Sequence, residues 1–105
     1  MGRESLGEFE QLVLLAIVRL REAAYAVPIA AEIEGHTGRS VSQAAVYVVL
    51  RRLEHKGLVS SHLADPTPER GGRAKRYYKL EPGTLAQLRD SRDALLSMWE
   101  GVEQA

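Results

Sequence analysis

Residues 7–22, GEFEQLVLLAIVRLRE, are apolar on nearly every side of the helix that their spacing predicts. Phe9, Leu12, Val13, Ala16, Ile17 and Leu20 recur at helical intervals, and Leu14, Leu15 and Val18 fill the other side. Such a helix needs cover on two sides, either from its own core and a partner chain or from a core larger than 105 residues can supply. A single domain of this length buries only about 60–70% of the surface that its unfolded chain exposes. The first choice therefore implies a dimer.

Turn and capping signals divide the rest of the chain. After a break around Ala23 to Val27, Pro28 suits the first turn of a second helix whose inner face is Ile29, Ala30 and Ile33, and GHTG stops it. Ser42 is an N-cap for a third helix that buries Val46, Val49, Leu50 and Leu53 and ends at Gly57. Its opposite face, Gln43, Ala44, Tyr47 and Arg51, is polar, basic and aromatic at once. Leu58 to Leu63 and Ala74 to Leu80 read as strands, with the turn formers DPTPERGG as a hairpin tip between them. Alternation turns Arg76, Tyr78 and Leu80 to one face and Arg73, Lys75, Tyr77 and Lys79 to the other; Leu80 points to the core, so the second set is expected outside. From Pro82, the apolar stripe Leu85, Leu88, Leu95, Trp99 and Val102, with Arg92 in one seam position, resembles a coiled-coil face. The expected fold is mainly α (α+β): a winged helix-turn-helix over residues 1–81 with a two-stranded β wing, then a C-terminal dimerisation helix over 82–105 that packs with helix 7–22 as one structural unit.

Charge points to a partner for this fold. The formal net charge is zero, with 14 basic and 14 acidic side chains, yet residues 38–80 hold nine cations against three acids. Both flanking segments carry net negative charge, so a neutral whole can present one basic face. The densest run is RGGRAKRYYK at 70–79, which contains no acid. A basic strand next to a helix with a basic, aromatic outer face predicts nucleic acid.

Other classes find less support. The absence of cysteine excludes disulfides, thiolate zinc sites and a thiol nucleophile, and His36, His55 and His62 are too scattered for a metal site. The longest apolar run, Leu12 to Val18, is far shorter than the roughly 20 residues of a membrane span, and a cytoplasmic, reducing location is expected. No nucleophile with a base, carboxylate pair or phosphate-binding glycine loop can be argued, so neither an enzyme nor a cofactor is expected. The rival reading is a protein-interaction adaptor, which would use the same apolar helices without sequence preference on DNA.

LGEFEQLVLLAIVRL, AAVYVVLRRLEHKGLV and GGRAKRYYKLEPG together resemble the PadR family of bacterial transcription regulators, in its short form with one C-terminal helix. The likeness runs from Leu6 to about Val102, and its most specific part combines VYxxLxxLExxGL with RxKRYYxL. It implies a homodimeric DNA-binding protein, usually a repressor, whose third helix enters the major groove while the wing contacts the flanking minor groove or backbone. Tyr47 matches a position that meets DNA in the family, and Lys75 and Arg76 match the basic pair before its two wing tyrosines. Ala26 and Val48 stand where the family often has Gly and Pro.

These readings nominate Ser42, Gln43, Ala44, Tyr47 and Arg51 on the recognition helix, and Arg70, Arg73, Lys75 and Arg76 on the wing. Gln43 suits adenine through its amide, Tyr47 a thymine methyl or a phosphate, and Arg51 a guanine or, favoured by its place a turn or two further along the helix, a phosphate. Wing cations would neutralise phosphates and release counterions, giving affinity and register without sequence information, and Gly71 and Gly72 would let the tip approach closely. Phe9, Val13, Leu85, Leu88, Leu95, Trp99 and Val102 are the expected dimer interface. Trp99 is expected as an interface anchor, with contact to a small hydrophobic or aromatic effector as its alternative role, because some PadR relatives bind aromatic drugs between tryptophans of the two last helices.

Overall fold

The computed structural model describes residues 5–64 and 74–104. Its elements are α1 (Glu8–Leu20), α2 (Ala26–Thr37), α3 (Gln43–His55), β1 (Val59–Leu63), β2 (Arg76–Leu80) and α4 (Thr84–Trp99), with short 3-10 turns at Arg21–Ala23 and Val102–Gln104. The strands form an antiparallel pair in which Val59 faces Leu80 and Leu63 faces Arg76. This is the expected mainly helical fold with a two-stranded sheet and a C-terminal helix.

The core forms where α1, α2, α3 and the hairpin meet. Val13, Leu14, Ala16 and Ile17 of α1 are buried against Ile29, Ala30 and Ile33 of α2 and Val46, Val49, Leu50 and Leu53 of α3. Leu14 thus belongs to the inner face rather than the outer one assigned by spacing, because α2, α3 and β2 together cover more than half of the helix circumference. The uncovered remainder is narrow and apolar, with Leu15 and Val18 exposed. The helix stops at Leu20, where Arg21 turns to a φ of 55°.

Glu10 is a charge that the sequence pattern does not explain. It is 5% exposed, in the first turn of α1. Its carboxylate accepts the Gly7 N–H at 2.9 Å and the Lys56 Nζ–H at 3.0 Å, with the Arg52 guanidinium at 3.7 Å. Burial pushes this carboxyl up, but the Gly7 amide, Lys56 and Arg52 together outweigh burial and hold it below the usual carboxylate range. The pair fastens the end of α3 to the start of α1. Glu10→Ala is expected to lower stability by about 2–3 kcal/mol, since it removes hydrogen bonds to a charged group and leaves Lys56 without this partner. A depressed folded pKa stabilises fully above the ordinary glutamate value of about 4.5 and loses that contribution as pH falls through the folded pKa. Urea titrations of both proteins at neutral pH and in acid should therefore show the difference shrinking below that value.

Local chemistry sets the remaining boundaries. α2 begins at Ala26, two residues before Pro28, and tolerates the proline because first-turn amides have no intrahelical acceptor. It ends at Gly38, whose φ of 76° suits a residue without a side chain. Ser42 caps α3 as expected, its Oγ accepting the Ala45 N–H at 3.0 Å, and α3 runs unbroken through Val48. Gly57, with a φ of 79°, reverses the chain into β1. The Tyr78 N–H donates to the Ala24 carbonyl at 2.9 Å, which binds β2 to the α1–α2 connection. The Glu81 N–H and the Thr84 hydroxyl both donate to the Leu58 carbonyl, seating the first turn of α4 on the hairpin.

Beyond that turn α4 leaves the core. Thr84 and Leu88 are its buried residues, while Leu95, Leu96, Met98 and Trp99 are exposed, Met98 to 77%. Val102, expected on the same stripe, lies past the helix end: Glu100 is extended, with a ψ of 127°, and Val102 belongs to the following 3-10 turn.

Candidate nucleic-acid interface

The side of α3 that packs inward is set by Val46, Val49, Leu50 and Leu53, and what faces away follows from 3.6 residues per turn. Gln43, Ala44, Tyr47 and Arg51 are all exposed, as expected, and none of the described elements covers this face. Ser42 is exposed too; its oxygen already accepts one hydrogen bond as the cap, leaving the hydroxyl proton and one lone pair for another partner. Directly opposite the buried stripe are Ala44, Val48, Arg51 and His55, all exposed. Gln43 and Tyr47 lie to the hairpin side of that line. Val48 and His55 are the positions that sequence reasoning overlooked, and an outward helical projection opposite the apolar stripe is the signal that finds them.

On the hairpin, Lys75 and Arg76 diverge. Lys75 sits with its ammonium 4.9 Å from the centre of the Tyr25 ring. Tyr25 meets Tyr77 edge-on at 5.2 Å, and Tyr77 stacks on His62, its cross-strand neighbour, at 5.9 Å. Arg76 shares the other face with buried Tyr78, and its Nη1 donates to Ser61 Oγ at 2.9 Å. Ser61 in turn donates to the Glu54 carboxylate at 2.8 Å. A chain of hydrogen bonds thus ties the β2 cation to the recognition helix and turns it toward α3. Burial pushes the Tyr78 hydroxyl above its ordinary pKa, and the nearby Glu54 charge adds to the effect. The Ser61 link becomes visible only once the register places Ser61 opposite Tyr78. Arg70 and Arg73, with Gly71 and Gly72, lie outside the described residues.

Tertiary pairing narrows the basic face. Arg39 binds Glu8 at 2.7 Å, while Arg52 and Lys56 turn to Glu10. The Glu8 and Arg39 groups shift one another accordingly, Glu8 downward and Arg39 upward, chiefly through the hydrogen bond between them. Part of the positive excess in the central segment therefore answers acids of α1. Arg51, Lys75, Arg76 and Lys79 remain along the α3 and hairpin surface. Among the described residues, no group of three or more His, Asp or Glu could hold a metal ion, and no helix is long and apolar enough to cross a membrane.

The residues expected in a dimer seam separate into two sets. Val13 and Leu88 are buried inside the protomer, because α1 and the first turns of α4 spend those positions on their own core, so neither presents a surface to a partner. Phe9 is half-buried beside Val48 and Val49, away from α4. Leu85, Leu95, Trp99 and Val102 are exposed. Leu15 and Leu85 border the same groove between α1 and α4, so the apolar surfaces of the two helices are continuous there.

Comparison with known proteins agrees with this geometry. Among curated protein sequences, none matches the chain significantly. Of the solved structures, a PadR-like transcriptional regulator from Bacillus cereus aligns with a TM-score of 0.72 at 21% identity, over 91% of this chain and 88% of that one. A PadR family regulator from Eggerthella lenta aligns at 0.70 and 26% identity, over 92% and 84%. A PadR-like transcription factor from Bacteroides fragilis aligns at 0.71 and 23% identity, over 91% and 87%. The model of the transcriptional regulator PadR-like family matches residues 14–89, which take in the core of α1, all of α2 and α3, the hairpin and the start of α4. That span contains the exposed α3 face and the wing together, and on it the chain belongs to the PadR-like family and is a DNA-binding transcription regulator rather than an enzyme.

Proposed function

We propose that the chain is a homodimeric repressor that lays α3 of each protomer in the major groove of a pseudo-palindromic operator. The observation that carries this reading is the outer face of α3, which is exposed, uncovered by the other described elements, and flanked on the hairpin by Arg76 held toward it through Ser61 and Glu54. The major groove, about 12 Å wide, admits a helix and distinguishes all four base pairs. Gln43 and Tyr47 supply readout and phosphate contact, while Arg51, Lys75 and Arg76, together with the wing residues Arg70 and Arg73 outside the described residues, neutralise phosphates.

Self-association follows from the apolar surface. Leu15 and Val18 on α1 and Leu85, Leu95, Leu96 and Trp99 on α4 are too many exposed apolar residues for scattered surface positions, and a second copy covers them. Trp99 anchors that seam. A small hydrophobic or aromatic molecule entering beside Trp99 would loosen the seam and relieve repression, in the cytoplasm where the operator is reached.

The test is capture of sheared genomic DNA from the source organism by the purified protein, followed by sequencing. Recovery of one short inverted repeat is expected, with half-sites about 34–36 Å apart, one turn of B-DNA. Random fragments, or none, would move the reading to a protein-interaction adaptor.

A further inference from the structure

The recognition helix carries an apolar side chain at the centre of its outward face. Val46, Val49, Leu50 and Leu53 are buried, so the line diametrically opposite runs through Ala44, Val48, Arg51 and His55. Val48 is 58% exposed there, more than Tyr47 at 49%, and α3 is regular on both sides of it. β-Branched residues lose rotamer freedom in a helix, so an exposed valine in the middle of α3 brings no local benefit. Nor is it buried in the core: its neighbour Val49 packs inward, while Val48 only borders the open groove beside Phe9.

Its surroundings suit a base edge. Ala44 and Ala45, one turn earlier, are exposed and small, so the helix backbone can sit low in a groove with Val48 as the protruding apolar group. Tyr47 is drawn to the hairpin side, where its hydroxyl lies within electrostatic reach of Tyr78, and Arg51 is long enough to reach a phosphate. In the major groove the one apolar feature that distinguishes a base pair is the C5-methyl group of thymine.

We propose that Val48 is a specificity-determining residue that reads a thymine methyl group in each half-site. The proposal rests on the DNA-binding reading above and adds a base to it. Two methyl groups on Val48 close over the thymine methyl and exclude water from it, an interaction that cytosine or uracil cannot supply.

The experiment separates the proposal from its foundation. A randomised DNA duplex library is selected with the native protein, and the winning duplex is remade with uracil in place of thymine at one position at a time. The native protein is expected to lose about three- to fivefold in affinity at one symmetric pair of positions, the scale of one methyl group removed from water. Val48→Ala, which should fold at least as well because alanine is the better helix former, is expected to bind thymine and uracil duplexes equally at that pair, with Val48→Thr keeping part of the preference. Uracil effects that persist undiminished in Val48→Ala, or that are absent at every position for the native protein, overturn the role of Val48 while leaving DNA binding intact. A native protein that enriches no sequence overturns both.

Discussion

Leu95→Glu combined with Trp99→Ala should convert the protein to a monomer and reduce operator affinity by at least a hundredfold. Both side chains are 57% exposed on the half of α4 that projects from the core, so the protomer fold should survive. Sedimentation velocity reads the oligomer, and circular dichroism checks that the helices remain. A glutamate in an apolar seam must be desolvated without a partner, which disfavours association strongly. The loss on DNA exceeds anything a lost contact would explain, because a dimer engages its second half-site at the effective concentration set by its first, and such linkage contributes on the order of 10²–10⁴. A variant that stays dimeric would show that α4 is not the seam. One that becomes monomeric yet binds the full operator as before would show that dimerisation is irrelevant to recognition.

Removing Lys75 and Arg76 together should weaken binding to all DNA on the order of ten- to a hundredfold and reduce the slope of log affinity against log salt by up to about 1.8. Each cation that contacts a phosphate releases counterions, so the slope counts contacts whatever the sequence. The single variants should not behave alike. Lys75→Ala removes a charge that rests over the Tyr25 ring, and only the salt slope and non-specific affinity should change. Arg76→Ala also removes the group that Ser61 and Glu54 connect to α3, so relative affinities among operator variants should shift as well. Fluorescence anisotropy across a salt series measures both quantities. An unchanged slope in the double variant would take the wing cations out of the interface.

The local elements were legible because short-range rules write them. Ser42 before α3, Gly38 and Gly57 after their helices, and the period of Val46, Val49, Leu50 and Leu53 are all statements about neighbours a few residues apart. The pairing of β1 with β2 was equally readable from the turn formers between them. Errors arose where a helix was apolar on too many sides for periodicity to choose. On α1, Leu14 went inward and Leu15 outward because α2, α3 and β2 approach from particular directions, and no window along α1 encodes those directions. On α4 the even stripe of leucines broke into a buried Leu88 and an exposed Leu95 for the same reason: only the first turns lie against the core.

For the candidate site, the sequence alone determined which residue types stand on the outer face of α3 and that the central segment holds the excess of cations. Both are properties of spacing and composition, and both survive any packing of the helices. Tertiary structure alone decided which cations stay on that surface and where each points. Arg39 and Lys56 meet Glu8 and Glu10, residues more than thirty positions away along the chain. Alternation already sets Lys75 and Arg76 on opposite faces, but only folding brings the Tyr25 ring under one and the Ser61–Glu54 pair to the other. The physical reason is that charge is counted along the chain but screened and paired through space, so a local excess becomes a surface only after folding has brought the distant acids to their places.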